Sequence, residues 1–218
     1  MNRSDPHGDQ SILTQGVTLA RATKAYVLLH GRGASAQNIL ELGYELSDGN
    51  LALLAPQAAQ NTWYPNSFLA PIEQNQPWLD SALAKVASCI DECIAVGLGT
   101  EQIAVIGFSQ GACLASEFVA RNPSRYGALI GFTGGLIGSP GSVGDHAGSL
   151  FGTPIFLTSG DPDPHVPWSR VEETRDVFLR MGGDVRLVRH ANRPHTILEE
   201  EIEAARSFLG ASFPPLRP

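Results

Sequence analysis

Short, nearly uninterrupted apolar runs recur along this chain and alternate with stretches of helical periodicity, which leaves very few architectures open to it. Ala25–Leu29 runs into His30-Gly31-Arg32-Gly33, Leu51–Ala55 ends at Pro56, Ile103–Ile106 is stopped by Gly107, Ala128–Phe132 stands alone, and Ile155–Thr158 is closed by Gly160. Apolar runs of this length, bounded by glycine or proline, read as strands buried on both faces of a sheet. Between them, Leu79, Leu83, Val86, Ile90 and Ile94 repeat on one face of a helix over 79–96, ended by Gly97 and Gly99. Ala112–Arg121 predicts a second helix that stops before Pro123. Ser169 with Glu172, and Thr196 with Glu199, have capping-box spacing and predict helices reaching Met181 and Leu209, with Val185–Val188 as the last strand between them. Ile12–Leu19 predicts an opening strand or hairpin with Gly16 near a turn. Residues 1–10 read as a flexible polar tail, and 133–153, rich in glycine and serine, as a long surface loop. The class is therefore α/β. A single domain over 11–218 is expected, with a mostly parallel central sheet, helices on both faces, and functional residues on loops beyond the carboxyl ends of strands.

Composition narrows the function classes. At 218 residues, 43% hydrophobic and 17% charged, the chain can bury one core of ordinary size. A net charge of -7 and the lack of a basic stripe weigh against nucleic acid as a partner. Cys89, Cys93 and Cys113 form an odd set without framework spacing, which argues against a disulfide scaffold and fits a reducing compartment. Cys89 and Cys93 lie four apart on the predicted helix, but nothing nearby completes a ligand set, so no metal is expected and they read as buried thiols. The opening MNRSDPHGDQ lacks an apolar signal region, and no apolar run reaches the roughly 18 residues of a membrane span. A cytoplasmic location is the expectation. A homodimer is compatible with the sequence, which carries no signal for or against pairing.

Gly107-Phe108-Ser109-Gln110-Gly111 follows the pattern Gly-x-Ser-x-Gly, between a predicted strand and a predicted helix. That context suits a nucleophilic serine: the tight strand-to-helix turn lifts the hydroxyl above the sheet, and flanking glycines permit close backbone approach. A serine hydroxyl needs an adjacent base. Of the six histidines, His190 and His195 follow the last strand. His195, just ahead of the predicted cap at Thr196, is favoured over His190, which abuts the strand. The orienting acid should lie after the preceding strand, where Asp161 and Asp163 both stand in Gly160-Asp161-Pro162-Asp163-Pro164-His165-Val166-Pro167. Spacing favours Asp163 only modestly. His165 reads as a lone exposed loop histidine.

Taken together, these segments resemble the phospholipase/carboxylesterase family, small α/β-hydrolases that include acyl-protein thioesterases. Leu29-His30-Gly31-Arg32-Gly33-Ala34, the elbow Gly107–Gly111 with Ala112, Asp163-Pro164-His165-Val166-Pro167 and Pro194-His195 stand in the family's order over 25–200. The resemblance implies an α/β-hydrolase fold without a large cap domain and a catalytic set of Ser109, Asp163 and His195. It implies an oxyanion hole from the backbone amides of Arg32 and Gln110, with His30 bracing its turn. It also implies a small-molecule ester substrate and no cofactor. Asn61–Phe68 departs from the thioesterase pattern; Trp63, Tyr64 and Phe68 read either as an aromatic wall of a substrate pocket or as packing. The function expected from the resemblance is hydrolysis of short- to medium-chain acyl esters through an acyl-enzyme. Lysophospholipase or thioesterase activity on the same residues, and a ligand-binding or receptor-like protein with little turnover, are the alternatives. Dienelactone hydrolase, a related fold, would prefer cysteine where this chain has Ser109.

Overall fold

The buried runs become the strands of one sheet in a computed structural model of the chain, which describes residues 5–144 and 146–213. The strands are β1 (Ile12–Gly16), β2 (Ala25–Leu29), β3 (Ala52–Pro56), β4 (Ile103–Phe108), β5 (Ala128–Phe132), β6 (Pro154–Asp161) and β7 (Asp184–Ala191). The helices are α1 (Ala36–Leu46), α2 (Trp78–Ala95), α3 (Gln110–Arg121), α4 (Trp168–Arg180) and α5 (Glu199–Ser212). Sheet order is β1-β3-β2-β4-β5-β6-β7, with only the β1–β3 pair antiparallel. The central strands show no polar face because helices cover both sides. Ala25, Val27 and Leu29 of β2 face a core shared with α2, α3 and α4, while Tyr26 and Leu28 face a second core under α1 and α5. Each large apolar side chain so enclosed contributes about 1.5–3 kcal/mol.

β3 and β4 lie on opposite sides of β2, so the chain leaves β2 one way and returns on the other. At such a switch in strand order the connecting loops diverge and leave a crevice beyond the carboxyl ends of the strands. The loops after β2, β4, β6 and β7 hold Arg32, Ser109, Asp163 and His195 respectively.

Several elements differ from the sequence expectation. Helix α1 falls in 34–50, where the apolar signal is thin. Its start is fixed locally, by Ser35 Oγ accepting from the Asn38 amide (3.3 Å) and Asn38 Oδ1 accepting from the Ser35 amide (3.1 Å). The proposed Ser169/Glu172 box does not form, since α4 begins at Trp168 behind Pro167 with no side-chain cap. α5 starts at Glu199, not at Thr196, and Glu201 Oε2 takes the Leu198 amide at 2.9 Å. Residues 133–138 are buried and so are not a surface loop. Their backbone polar groups are met by Glu117 Oε2 (Ile137 amide, 3.0 Å), Thr174 Oγ1 (Leu136 amide, 2.9 Å) and the Arg170 guanidinium, which donates to Leu136 O, Gly138 O and Ser139 O. Of the segment expected to be a tail, residues 1–4 lie outside the described residues, and within 5–10 Pro6 and His7 are buried while Asp5, Gly8 and Asp9 stay exposed. His7 is fully buried; its amide donates to Ser81 Oγ (2.8 Å), Nδ1 accepts from the Ala59 amide (3.0 Å) and Nε2 donates to Trp63 O (2.9 Å). Burial holds this imidazole below its ordinary pKa, in keeping with one neutral tautomer bonded at both nitrogens.

Candidate active site

β4 ends in a turn whose middle residue, Ser109, has φ 54° and ψ -119°. A residue with a Cβ is strained in that region of backbone space, by about 1–3 kcal/mol, and such strain concentrates at functional positions. The glycines that flank it are sterically required. A methyl group on Gly107 would collide with the backbone of Gly111, and one on Gly111 with the carbonyls of Leu29 and His30. The turn is held by the Ser109 amide donating to Phe132 O (2.9 Å) on β5, while Cys113 N returns to Ser109 O (3.0 Å) in the first turn of α3.

Three loops converge on the Ser109 hydroxyl. His195 Nε2 lies 2.9 Å from Ser109 Oγ, and His195 Nδ1 lies 2.9 Å from Asp163 Oδ2 and 3.1 Å from Oδ1. The Asp163 carboxylate is fully enclosed. Its Oδ1 also accepts the amides of His165 and Val166, each at 2.9 Å. Burial acts to raise its pKa, but the His165 amide, the His195 ring and the Val166 amide together outweigh it, so the carboxyl stays below the ordinary carboxylate value. Asp161, the other aspartate of the loop, pairs with Arg189 on the sheet edge. His190 sits 3.2 Å from Glu200 and 3.7 Å from Glu201, away from the serine.

The loop after β2 lies over the same turn. A Cβ on Gly31 would stand 3.6 Å from that of Ser109. His30 is locked beneath it: Nδ1 donates to Gly31 O (2.8 Å) and Nε2 accepts from the Ala58 amide (3.1 Å), with burial lowering its pKa. Among the described residues, the backbone amides of Arg32 and Gln110 donate to no protein acceptor. Gln110 is the first residue of α3, where amides are free of intrahelical partners and the helix end is partially positive. Its side chain is structural: Oε1 accepts from the Trp63 amide (3.0 Å), and Nε2 donates to Tyr64 O (2.8 Å).

The family model described as phospholipase/carboxylesterase matches residues 18–213, all but the ends of the chain. The chain belongs to the phospholipase/carboxylesterase family. A solved phospholipase/carboxylesterase from Dyadobacter fermentans superposes with a TM-score of 0.89 at 47% identity, covering 92% of this chain and 96% of that one. Acyl-protein thioesterase 1 of Eremothecium gossypii is 26% identical over 90% of this chain and 91% of its own length. Acyl-protein thioesterase 1 of Gibberella zeae is 26% identical over 58% of this chain, and the match spans only 54% of that relative. The architecture is thus the α/β-hydrolase fold of a family of ester hydrolases, and the convergence of Ser109, His195 and Asp163 lies where that fold places its chemistry.

A cleft of about 460 Å³ opens on Ser109 and His195, walled by Tyr64, Phe68, Cys113 and Val166 and rimmed by Arg32 and Asn66. Of the three aromatics, Tyr64 and Phe68 line it, whereas Trp63 does not. Trp63 is fully buried behind the cleft, its indole N–H donating to His30 O (2.8 Å) and its ring tilted against His30 with centroids 4.9 Å apart. The chain bends through 63–66, and these neighbours part there, Tyr64 lining the cleft and Trp63 packing against His30 in the core. The Tyr64 hydroxyl is buried without a hydrogen-bond partner among the described residues. The three cysteines are free and buried, and burial pushes Cys89 and Cys93 up to about 12 and Cys113 to about 11.

Two features of the site escaped the sequence. His165 reaches the cleft edge, and its ring stands perpendicular to that of His195 with centroids 4.8 Å apart. Beneath the His195 loop, the buried Arg193 Nε lies 3.2 Å from the buried Glu201 Oε2. Arg193 also bonds Thr133 Oγ1 and the carbonyls of Pro194 and Thr196, and Thr158 Oγ1 donates to Glu201 Oε1 at 2.6 Å. This ion pair ties both sides of His195 to the sheet. Removing one partner of a buried pair leaves an uncompensated charge, at about 3–5 kcal/mol. Glu201→Ala is expected to lose stability in that range, read from the midpoint of urea unfolding at constant m.

Proposed function

We propose that this protein is a serine carboxylesterase that hydrolyses short- to medium-chain acyl esters through an acyl-enzyme on Ser109. The observation that carries the reading is the continuous hydrogen-bonded chain from Ser109 Oγ through His195 to the enclosed Asp163 carboxylate, open to the cleft at its serine end. As Ser109 Oγ bonds to the ester carbonyl carbon, its proton passes to His195 Nε2. The Arg32 and Gln110 amides receive the negative charge that develops on the carbonyl oxygen, where each such donor contributes about 3–4 kcal/mol in comparable sites. His195 returns the proton to the departing alkoxide, and the C–O bond to the alcohol breaks. Water then repeats the sequence on the acyl-enzyme and frees the acid. Asp163 keeps the His195 proton on Nδ1 and stabilises the imidazolium without taking the proton.

The cleft lined by Tyr64, Phe68 and Cys113, about 460 Å³ in volume, has room for an acyl group of short to medium length. The three buried free thiols support a reducing, cytoplasmic setting. A thioester is the second reading, favoured by relatives named acyl-protein thioesterase 1. The test is a series of p-nitrophenyl acetate, butyrate, octanoate and palmitate beside butyryl-thiocholine. The highest kcat/KM is expected on octanoate or a shorter ester. A rate still rising from octanoate to p-nitrophenyl palmitate would overturn the chain-length assignment, and a thioester preference would move the protein to the second reading.

A further inference from the structure

The geometry points to Arg32 as an anchor for a negatively charged group on the substrate, a carboxylate or a phosphate close to the scissile ester. The inference rests on the proposed esterase reading and adds a substrate class to it. Arg32 is exposed and lines the cleft. None of the residues lining that cleft is an aspartate or glutamate, and Arg32 is the one lining residue with a permanent charge. Among the described residues it forms no ion pair, whereas Arg121, Arg170, Arg189 and Arg193 each face a carboxylate. The overall charge of -7 makes this positive spot a local feature of the cleft and not part of a general basic surface.

The guanidinium is also held in place. One terminal nitrogen donates to Pro65 O (2.9 Å) and the other to Asn66 O (2.7 Å), and the group sits 5.9 Å from the centre of the Tyr64 ring. Two of its five N–H donors are thereby used, which leaves three for a ligand. A planar cation whose rotamer is already fixed loses little further entropy on binding, and its fork matches the paired oxygens of carboxylate and phosphate. The backbone places it close to the chemistry: a Cβ on the preceding Gly31 would stand 3.6 Å from that of Ser109, and among the described residues the Arg32 amide donates to no protein acceptor. An anion on Arg32 would therefore lie a short chain away from the reacting carbonyl.

Two matched substrate pairs test this and separate the two sources of charge. Monoethyl adipate against diethyl adipate places a carboxylate on the acyl side; 1-butyryl-glycerol 3-phosphate against 1-monobutyrin places a phosphate on the alcohol side. Wild type is expected to favour the charged member of at least one pair by about tenfold or more in kcat/KM, the scale of one charge-assisted hydrogen bond. Arg32→Gln should bring that ratio to about one, and Arg32→Lys should keep part of it. A wild-type ratio near one in both pairs overturns the inference. So does a ratio that survives in Arg32→Gln while both rates fall together, because Arg32 would then only fasten the 65–66 segment. Calorimetry on Ser109→Ala with adipate and with glycerol 3-phosphate reads the same contact without turnover. Binding of either anion that is lost in Ser109→Ala/Arg32→Gln supports the anchor, and no binding of either overturns it. Failure of the esterase reading shows separately, as absence of turnover on the neutral esters.

Discussion

Ser109→Ala is expected to lower kcat on p-nitrophenyl butyrate by about 10⁶, the scale seen when the nucleophile of such a constellation is removed. The 2.9 Å contact to His195 Nε2 is the only hydrogen bond of the Ser109 hydroxyl among the described residues. The substitution therefore removes the reacting atom and leaves the neighbouring loops tied down. The strained backbone at φ 54° is shared by both proteins, so the cost of the turn cancels. Unfolding should be at least as resistant as in wild type, since relieving a functional site often stabilises. His195→Ala should cost about as much as Ser109→Ala, and the double variant should be scarcely worse than either, because the residues act as one unit. A fluorophosphonate should label wild type stoichiometrically and leave Ser109→Ala untouched. More than 1% residual turnover in a preparation free of wild type would exclude Ser109 as the nucleophile.

How legible these residues were in the sequence depends on how local their reasons are. Strands β2, β3, β4, β5 and β6 could be read because burial on both faces leaves no polar alternation, and the elbow could be read because Gly107 and Gly111 are both sterically required. Helix α1 was missed because its cap uses Asn38 where glutamate or glutamine is the usual signal, and because Gly43 and Ala36 carry part of its buried face. The caps of α4 and α5 were misplaced because serine or threonine three residues before a glutamate is common by chance, and nothing local distinguishes Glu199 from Glu201. What decides for Glu201 is Thr158, 43 residues earlier on β6. Residues 133–138 looked like a surface loop because their partners, Glu117, Arg170 and Thr174, lie on other elements. His7 is similar: a lone histidine in a polar stretch whose three partners lie far along the chain. Neighbours such as Trp63 and Tyr64 could be recognised as an aromatic pair, but which of them faces the cleft depends on the path of the backbone.

Asp163→Asn is the second large loss, about 10⁴ in kcat, with the architecture of the site intact. Asp163 serves three donors at once, the His195 ring and the amides of His165 and Val166. Asparagine offers one acceptor oxygen and an NH₂ group. If the oxygen takes the two amides, the NH₂ group faces His195 Nδ1 and makes that nitrogen an acceptor. The ring proton then resides on Nε2 and points at Ser109 Oγ, so His195 cannot receive the serine proton. The opposite orientation sets NH₂ against two N–H donors and is disfavoured. The same contacts fix the sign of a stability effect. The folded Asp163 carboxyl titrates below its unfolded value of about 3.9, so near pH 4 the unfolded chain binds the proton more readily. Its contribution is complete above the unfolded pKa and is lost as the pH falls through the folded one. Asparagine cannot titrate, so the urea midpoint of Asp163→Asn should fall less between pH 6 and pH 3 than that of wild type. Turnover within tenfold of wild type would remove Asp163 from the proton-orienting role. Parallel acid profiles would show that its carboxylate is not held by the His165 and Val166 amides.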